Sequence, residues 1–148
     1  MSDLLGRELT PNLFDLLAKR MATVVVATVD NDGCPHTAPY NQITAMDPKH
    51  ICLAVNRQDA TFLSLRDYGL TMIEVLEEGD IAAGIKGRAR VCRQYMEANC
   101  NLAMIEIEIE EIKRDNSAYY VVTQGVRTRH REETALLYQR QVMAELRA

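Results

Sequence analysis

Arg127, Arg129, His130 and Arg131 put three guanidiniums and an imidazole on one short stretch near the C-terminus. Such a cluster takes an anion when its charges converge, through charge-assisted and bidentate hydrogen bonds. Otherwise it is solvated charge set against the chain's many glutamates. A second stretch, "NRQDAT" from Asn56 to Thr61, reads as a strand end followed by the first turn of a helix. The unpaired N–H groups and positive dipole end of such a turn hold phosphates, and Thr61 adds a hydroxyl donor. Asp59 works the other way, because as N-cap it satisfies the same N–H groups and repels an anion.

Other chemistries find little support. Cys34, Cys52, Cys92 and Cys100 are irregularly spaced with no Cys-x-x-Cys, and read as reduced thiols rather than a disulfide framework. A zinc site built on Cys34 and His36 lacks the short-range ligand pairing of structural sites. His36 sits at a turn exit and His50 begins a strand, neither with a nucleophile at motif spacing; no G-x-S-x-G, P-loop or Rossmann glycine pattern occurs. Lys and Arg total 17 against 21 Asp and Glu, a net charge of -4, so no overall field draws nucleic acid or an anionic membrane. The longest apolar stretch, Met21 to Val29, falls far short of the ~20 residues that span a bilayer. The first residues lack a secretory pattern, which makes the cytoplasm the expected location.

The elements that must position these residues follow from period and punctuation. "TPNLFDLLAKR" predicts an opening helix, with Thr10 as N-cap and Pro11 at its first position. "MATVVVATVD" is apolar at successive positions and predicts a strand covered on both faces. After the turn in "ATVDNDGCPH", a second strand should run from His36 to about Met46, with Pro39 placing it at an edge or bulge. "HICLAVN" is a third strand, and "DATFLSLRDYG" a short helix stopped by Gly69. "LTMIEVLE" and "AAGIKGRARVC" are strands; "RQYMEANCN" reads as a short helix; "MIEIEIEEIK" alternates at period two as a strand with one wet face. "AYYVVTQGVRTR" is expected as a further strand, and a terminal helix at about residues 131–147 should pack on a partner surface. The whole is one domain of mainly β class, an antiparallel split β-barrel of Greek-key type with peripheral α-helices.

The ordered set "ATVDNDGCPH", "ICLAVNRQDATFLSLRD" and "IKGRARV" resembles the pyridoxamine 5'-phosphate oxidase-like, FMN-binding split-barrel superfamily over roughly Leu13 to Ile112. The resemblance implies a homodimer with cofactor sites between subunits. It implies that Thr37, Ala38, Pro39 and Tyr40 approach the flavin ring, and that Asn56, Arg57 and Thr61 lie near ribityl or phosphate oxygens. Arg127 or Arg129 of the other subunit would supplement the phosphate charge. Three departures matter: Ala38, Ile43 and the Ala60–Thr61 pair stand where the oxidases proper carry phosphate-binding cations. The expectation is therefore an FMN-dependent oxidoreductase acting on a small molecule other than pyridoxamine phosphate, with no side-chain acid or base assigned. Haem binding or breakdown, with His130 as ligand, and a non-catalytic dimeric ligand-binding protein are the alternatives.

Overall fold

The computed structural model describes residues 3–148. A short strand, β1 (Asp3–Gly6), precedes α1 (Pro11–Lys19), whose N-cap Thr10 accepts the Leu13 N–H through its hydroxyl. Leu13, Leu16 and Leu17 form the buried stripe of this helix. There follow β2 (Val24–Val29), β3 (Pro35–Tyr40), β4 (Ile43–Asp47), β5 (His50–Asn56), α2 (Ala60–Tyr68), β6 (Leu70–Glu77), β7 (Ile81–Arg93), β8 (Leu102–Arg114) and α3 (Glu133–Leu146).

The strands pair antiparallel in the order β3-β2-β6-β7-β8-β5-β4, with β1 attached to the far end of β8. β3 and β4 stand at opposite ends of that order, yet only Asn41 and Gln42 separate them along the chain. A sheet whose two ends are tied this closely must curl until they meet, which makes it a barrel, split between β3 and β4. Its interior is filled by Val24, Val26, Ile51, Leu53, Ile85 and Ile105, among others, with α1 packed against it.

β5 is buried at every position from Ile51 to Val55. Ile51, Leu53 and Val55 face the barrel, whereas Cys52 and Ala54 face a second apolar cluster with Met96, Leu102 and the α3 residues Val142, Met143 and Leu146. The doubly covered strand is thus β5 and not β2, which alternates between buried and half-buried residues. Within the single chain the outer face of its β-branched run stays half exposed. The terminal helix packs on β4 and β5 of its own chain.

Three further expectations are corrected. The strand foreseen from His36 to Met46 breaks after Tyr40. Gln139 of α3 holds that break, accepting from Gln42 Nε2 at 2.9 Å and donating to the Asn41 carbonyl. "RQYMEANCN" is not helical, because side chains from elsewhere claim its backbone: Arg57 donates to the carbonyls of Gln94 and Cys100, and Glu145 accepts the N–H groups of Glu97 and Ala98. "AYYVVTQGVRTR" forms no strand. It runs as a strap along the end of β6, where Val122 exchanges hydrogen bonds with Asp80, and Gly125 donates to Glu77. A Cβ on Gly125 would lie 2.1 Å from the Leu76 carbonyl oxygen, so only glycine permits this approach.

No helix among the described residues is long and apolar enough to cross a membrane.

Candidate functional site

The hairpin between β2 and β3 closes around Asp30, whose carboxylate accepts the N–H groups of Asp32 and Cys34, while Gly33 takes a φ of +78°. Asn31 accepts from the Tyr68 hydroxyl at 2.7 Å, which ties this rim to the end of α2. β3 is an edge strand with Thr37 and Pro39 exposed and Ala38 and Tyr40 half-buried. Pro39 therefore removes no ladder donor that the sheet needs.

The end of β3 meets the start of α2. The Tyr40 hydroxyl donates to Asp59 Oδ2 at 3.4 Å, and burial, followed by the negative charge of Asp59, raises the phenol above its ordinary range. Asp59 occupies the N-cap position, but its side chain accepts no helix N–H. Thr61, on the first turn, is 1% exposed. Its hydroxyl lies near enough to Tyr40 to oppose that rise, yet meets no partner at hydrogen-bond geometry. A helix terminus with an idle cap and a buried hydroxyl without a partner is chemically disposed to receive acceptor oxygens.

The remaining residues singled out from sequence divide clearly. Asn56 turns its amide oxygen to the N–H of Gln58, shaping the β5-to-α2 junction. Arg57 belongs to the same junction, but its guanidinium serves the β7–β8 connection: Nη1 donates to the carbonyls of Gln94, Cys100 and Leu102, and the group stacks 4.1 Å from the Tyr95 ring centroid. Arg127 is paired with Glu77 at 2.8 Å. That guanidinium, with the N–H groups of Glu78 and Gly125, holds the Glu77 carboxyl down at about 2. Between the two strap arginines, Thr128 lines a cavity of about 230 Å³ together with Thr23, Pro39, Tyr40 and Gln42. Arg129, His130 and Arg131 are exposed and line another of about 490 Å³.

Thr37 to Tyr40, Asn56 and Thr61 are thus positioned by three neighbouring elements, while the strap reaches the Tyr40 end through Thr128. The Tyr40–Asp59 contact and the passage of Thr128 were not visible in the sequence. Tyr40 and Asp59 are not at a local spacing, and only Pro39 hints that this end of β3 is irregular.

No protein-family model matches the chain, and no curated protein matches it in sequence. Solved structures do match in fold. A Lactobacillus delbrueckii protein, provisionally described as a pyridoxamine 5'-phosphate oxidase, superposes with a TM-score of 0.65 at 20% identity, over 76% of this chain and 98% of that one. HupZ of Group A Streptococcus gives 0.63 at 20% identity, over 79% and 99%. An FMN-binding protein from Syntrophomonas wolfei gives 0.51 at 18% identity, over 67% and 80%. The chain shares the split-barrel fold of these structures.

Proposed function

We propose that this split barrel binds a flavin, with FMN as the favoured form, and serves two-electron transfer to or from a small molecule. The observation that carries the reading is the start of α2: a nine-residue helix whose N-cap carboxylate makes no capping bond and whose buried Thr61 hydroxyl has no partner. An FMN phosphate would accept from the uncapped N–H groups of the first turn and from that hydroxyl, and the edge of β3 from Thr37 to Tyr40 offers backbone groups to the ring. FMN, when bound, supplies the redox chemistry. The chain's own part is to orient it, exclude water from one face and place the reacting partner.

Ala38, Ile43 and Ala60 stand where the resemblance places the cations of a pyridoxamine phosphate oxidase, and Ile43 is buried in the barrel core, so a different substrate is favoured. Arg57 is engaged elsewhere, which makes Arg129 the better source of phosphate charge, delivered within the chain or from a second copy. A homodimer fits the half-exposed outer face of β2 and β6, where Val25 and Ala27 lie opposite Glu74 and Met72, with Leu76 next along β6. Light scattering that finds a stable monomer at micromolar concentration removes the dimer from this reading.

The test is a titration of FMN and riboflavin followed by flavin fluorescence. FMN should bind at least roughly tenfold more tightly, and Thr61→Val should erase most of that preference. Equal affinities in the unaltered protein overturn the phosphate site. A second reading rests on His130, flanked by Arg129 and Arg131 around one open cavity: an imidazole for iron and two guanidiniums for propionates suit haem. The absorption spectrum of the purified protein separates the two, since flavin bands and a Soret band do not overlap in pattern.

A further inference from the structure

One rung of the outer sheet face crosses five strands: Val25 of β2, Glu74 of β6, Gly84 of β7, Lys113 of β8 and Leu4 of β1 stand in register. Gly84, in the middle, supplies no side chain, and Lys113 lies across the space. A Cβ on Gly84 would come 2.7 Å from Lys113 Cε and 3.2 Å from its Nζ. The ammonium is thereby carried over β7 toward Glu74. It donates to both carboxylate oxygens of Asp115, at 2.8 and 2.9 Å, while the Asp115 N–H donates to the Ala82 carbonyl just beyond the end of β8. The protonated Glu74 carboxyl in turn donates to Asp115. Two carboxyl groups joined in this way hold one proton between them.

The cluster has two acids and one base, so one negative charge is left over when all three ionise. Its surroundings do not balance that charge. Lys86 of β7 stands opposite Glu111 of β8, and the two offset each other. Asp3 of β1 is paired with Arg114 at 2.9 Å. β2 presents Val25 and Ala27, and Met72 and Leu76 flank Glu74 on β6 itself. His36 is on the β3 edge, His50 lies against Asp47 and His130 is on the strap, so no imidazole joins the cluster. Burial, then the Asp115 charge, already push the Glu74 carboxyl up to about 7, with Lys113 opposing.

We infer that assembly is proton-linked: a second copy of this chain closes over the β2–β6 face only when Glu74 and Asp115 share a proton in each protomer, so the homodimer loosens as pH rises. The inference rests on the homodimer reading above and adds the charge state that such an interface requires. Burying an unbalanced carboxylate costs far more than burying a hydrogen-bonded cluster whose charges cancel. A second copy brings the same apolar side chains and the same balanced cluster through two-fold symmetry. Covering the face removes more water from Glu74 and raises its carboxyl further. The dimer therefore keeps protons that separated chains release above about 7, whereas below that both keep them and pH has little effect.

The experiment is fluorescence-detected sedimentation of the full chain, from nanomolar to micromolar concentration, at about pH 6.5 and about pH 8.5. Two linked protons per dimer allow a change of up to roughly a hundredfold per pH unit, and the dissociation constant should rise at least roughly tenfold across this window. Glu74→Gln keeps the side chain's size without its charge and should hold the dimer equally tight at both pH values. Asp115→Asn leaves one carboxylate for one ammonium and should flatten the dependence as well. A dimer with the same dissociation constant at both pH values, a dependence that survives both substitutions, or a Glu74→Gln chain that no longer dimerises would each overturn the proton linkage while leaving the homodimer in place. Monomer at every concentration and at both pH values would overturn the homodimer and the linkage together.

Discussion

α1 and α2 are both nine residues long, both follow a residue suited to N-capping, and both bury their apolar stripe in the same core. They differ at the first turn. Thr10 folds its hydroxyl back onto the Leu13 N–H at 3.4 Å and closes its helix end. Asp59 keeps the extended cap backbone, with φ -76° and ψ 145°, but spends its carboxylate on Tyr40 and leaves the helix end open. A cap-type residue thus fixes where a helix starts, while a neighbouring strand decides whether that start is closed or available.

The comparison requires both helices to be equally rooted, and the largest expected effects test that. Leu17 is 0% and Phe62 2% exposed, so Leu17→Ala and Phe62→Ala should each lower stability by about 3–4 kcal/mol in chemical denaturation. An α2 variant that loses under about 1 kcal/mol would mean that α2 is loosely docked and that its open end reflects fraying.

Next in size come two carboxylates on β6 that differ as the two cap residues do. Glu77 has a guanidinium partner and is held down at about 2. Its contribution is complete above the ordinary glutamate range near 4.5 and is lost as pH falls from there through about 2. Arg127→Met should lower stability at neutral pH and remove most of that acid dependence. Glu74 shifts in the opposite direction, to about 7, chiefly by burial and then by the neighbouring Asp115 charge, with Lys113 opposing. Its folded form holds a proton that the unfolded chain releases, so stability should fall as pH rises from about 4.5 to about 7. Thermal melts of Glu74→Gln across that window should be flatter than those of the unaltered protein.

The smaller effects concern the caps themselves. Thr10→Ala should cost about 1 kcal/mol, and Asp59→Ala no more than about 0.5, since the Asp59 carboxylate caps nothing. In fluorescence titration, Asp59→Asn should leave FMN affinity unchanged or raise it a few-fold, by removing a negative charge from the open helix end. A large loss of FMN in that variant would show that Asp59 is needed where the comparison says it is in the way.

These same residues show how far the sequence could be read. The bounds of β5 and α2 were legible because their punctuation is local: Asp59 before the helix, and Gly69 after it with a φ of +68° and its N–H on the Leu65 carbonyl. The first helix, the alternating β8 and the terminal helix were legible for the same reason. The strap was not. Tyr119 to Val122 favour a strand by residue type, yet they pair with no strand, and distant carboxylates on Asp80 and Glu77 take the N–H groups of Val122 and Gly125 instead. At the candidate site the sequence located Thr37 to Tyr40, Asn56 and Thr61 on the correct elements. It could not reveal that Arg57 turns to three carbonyls of another loop, or that Asp59 abandons its cap, since both outcomes depend on partners far along the chain.

The ladder between β5 and β8 has a consequence for the order in which the chain assembles. β6, β7 and β8 are consecutive and pair as neighbours, so that meander can form from local contacts. β5 must then join His50 to Glu108 and Asn56 to Leu102, closing a loop of roughly fifty residues that contains the whole meander. Only when this seam has zipped do Cys52 and Ala54 join Leu102 and Met104 in one apolar floor, on which Val142 and Met143 rest. α3, though continuous with the strap, is therefore expected to dock last, and a chain caught before that seam closes would display the apolar stripe of its final helix with nowhere to set it down.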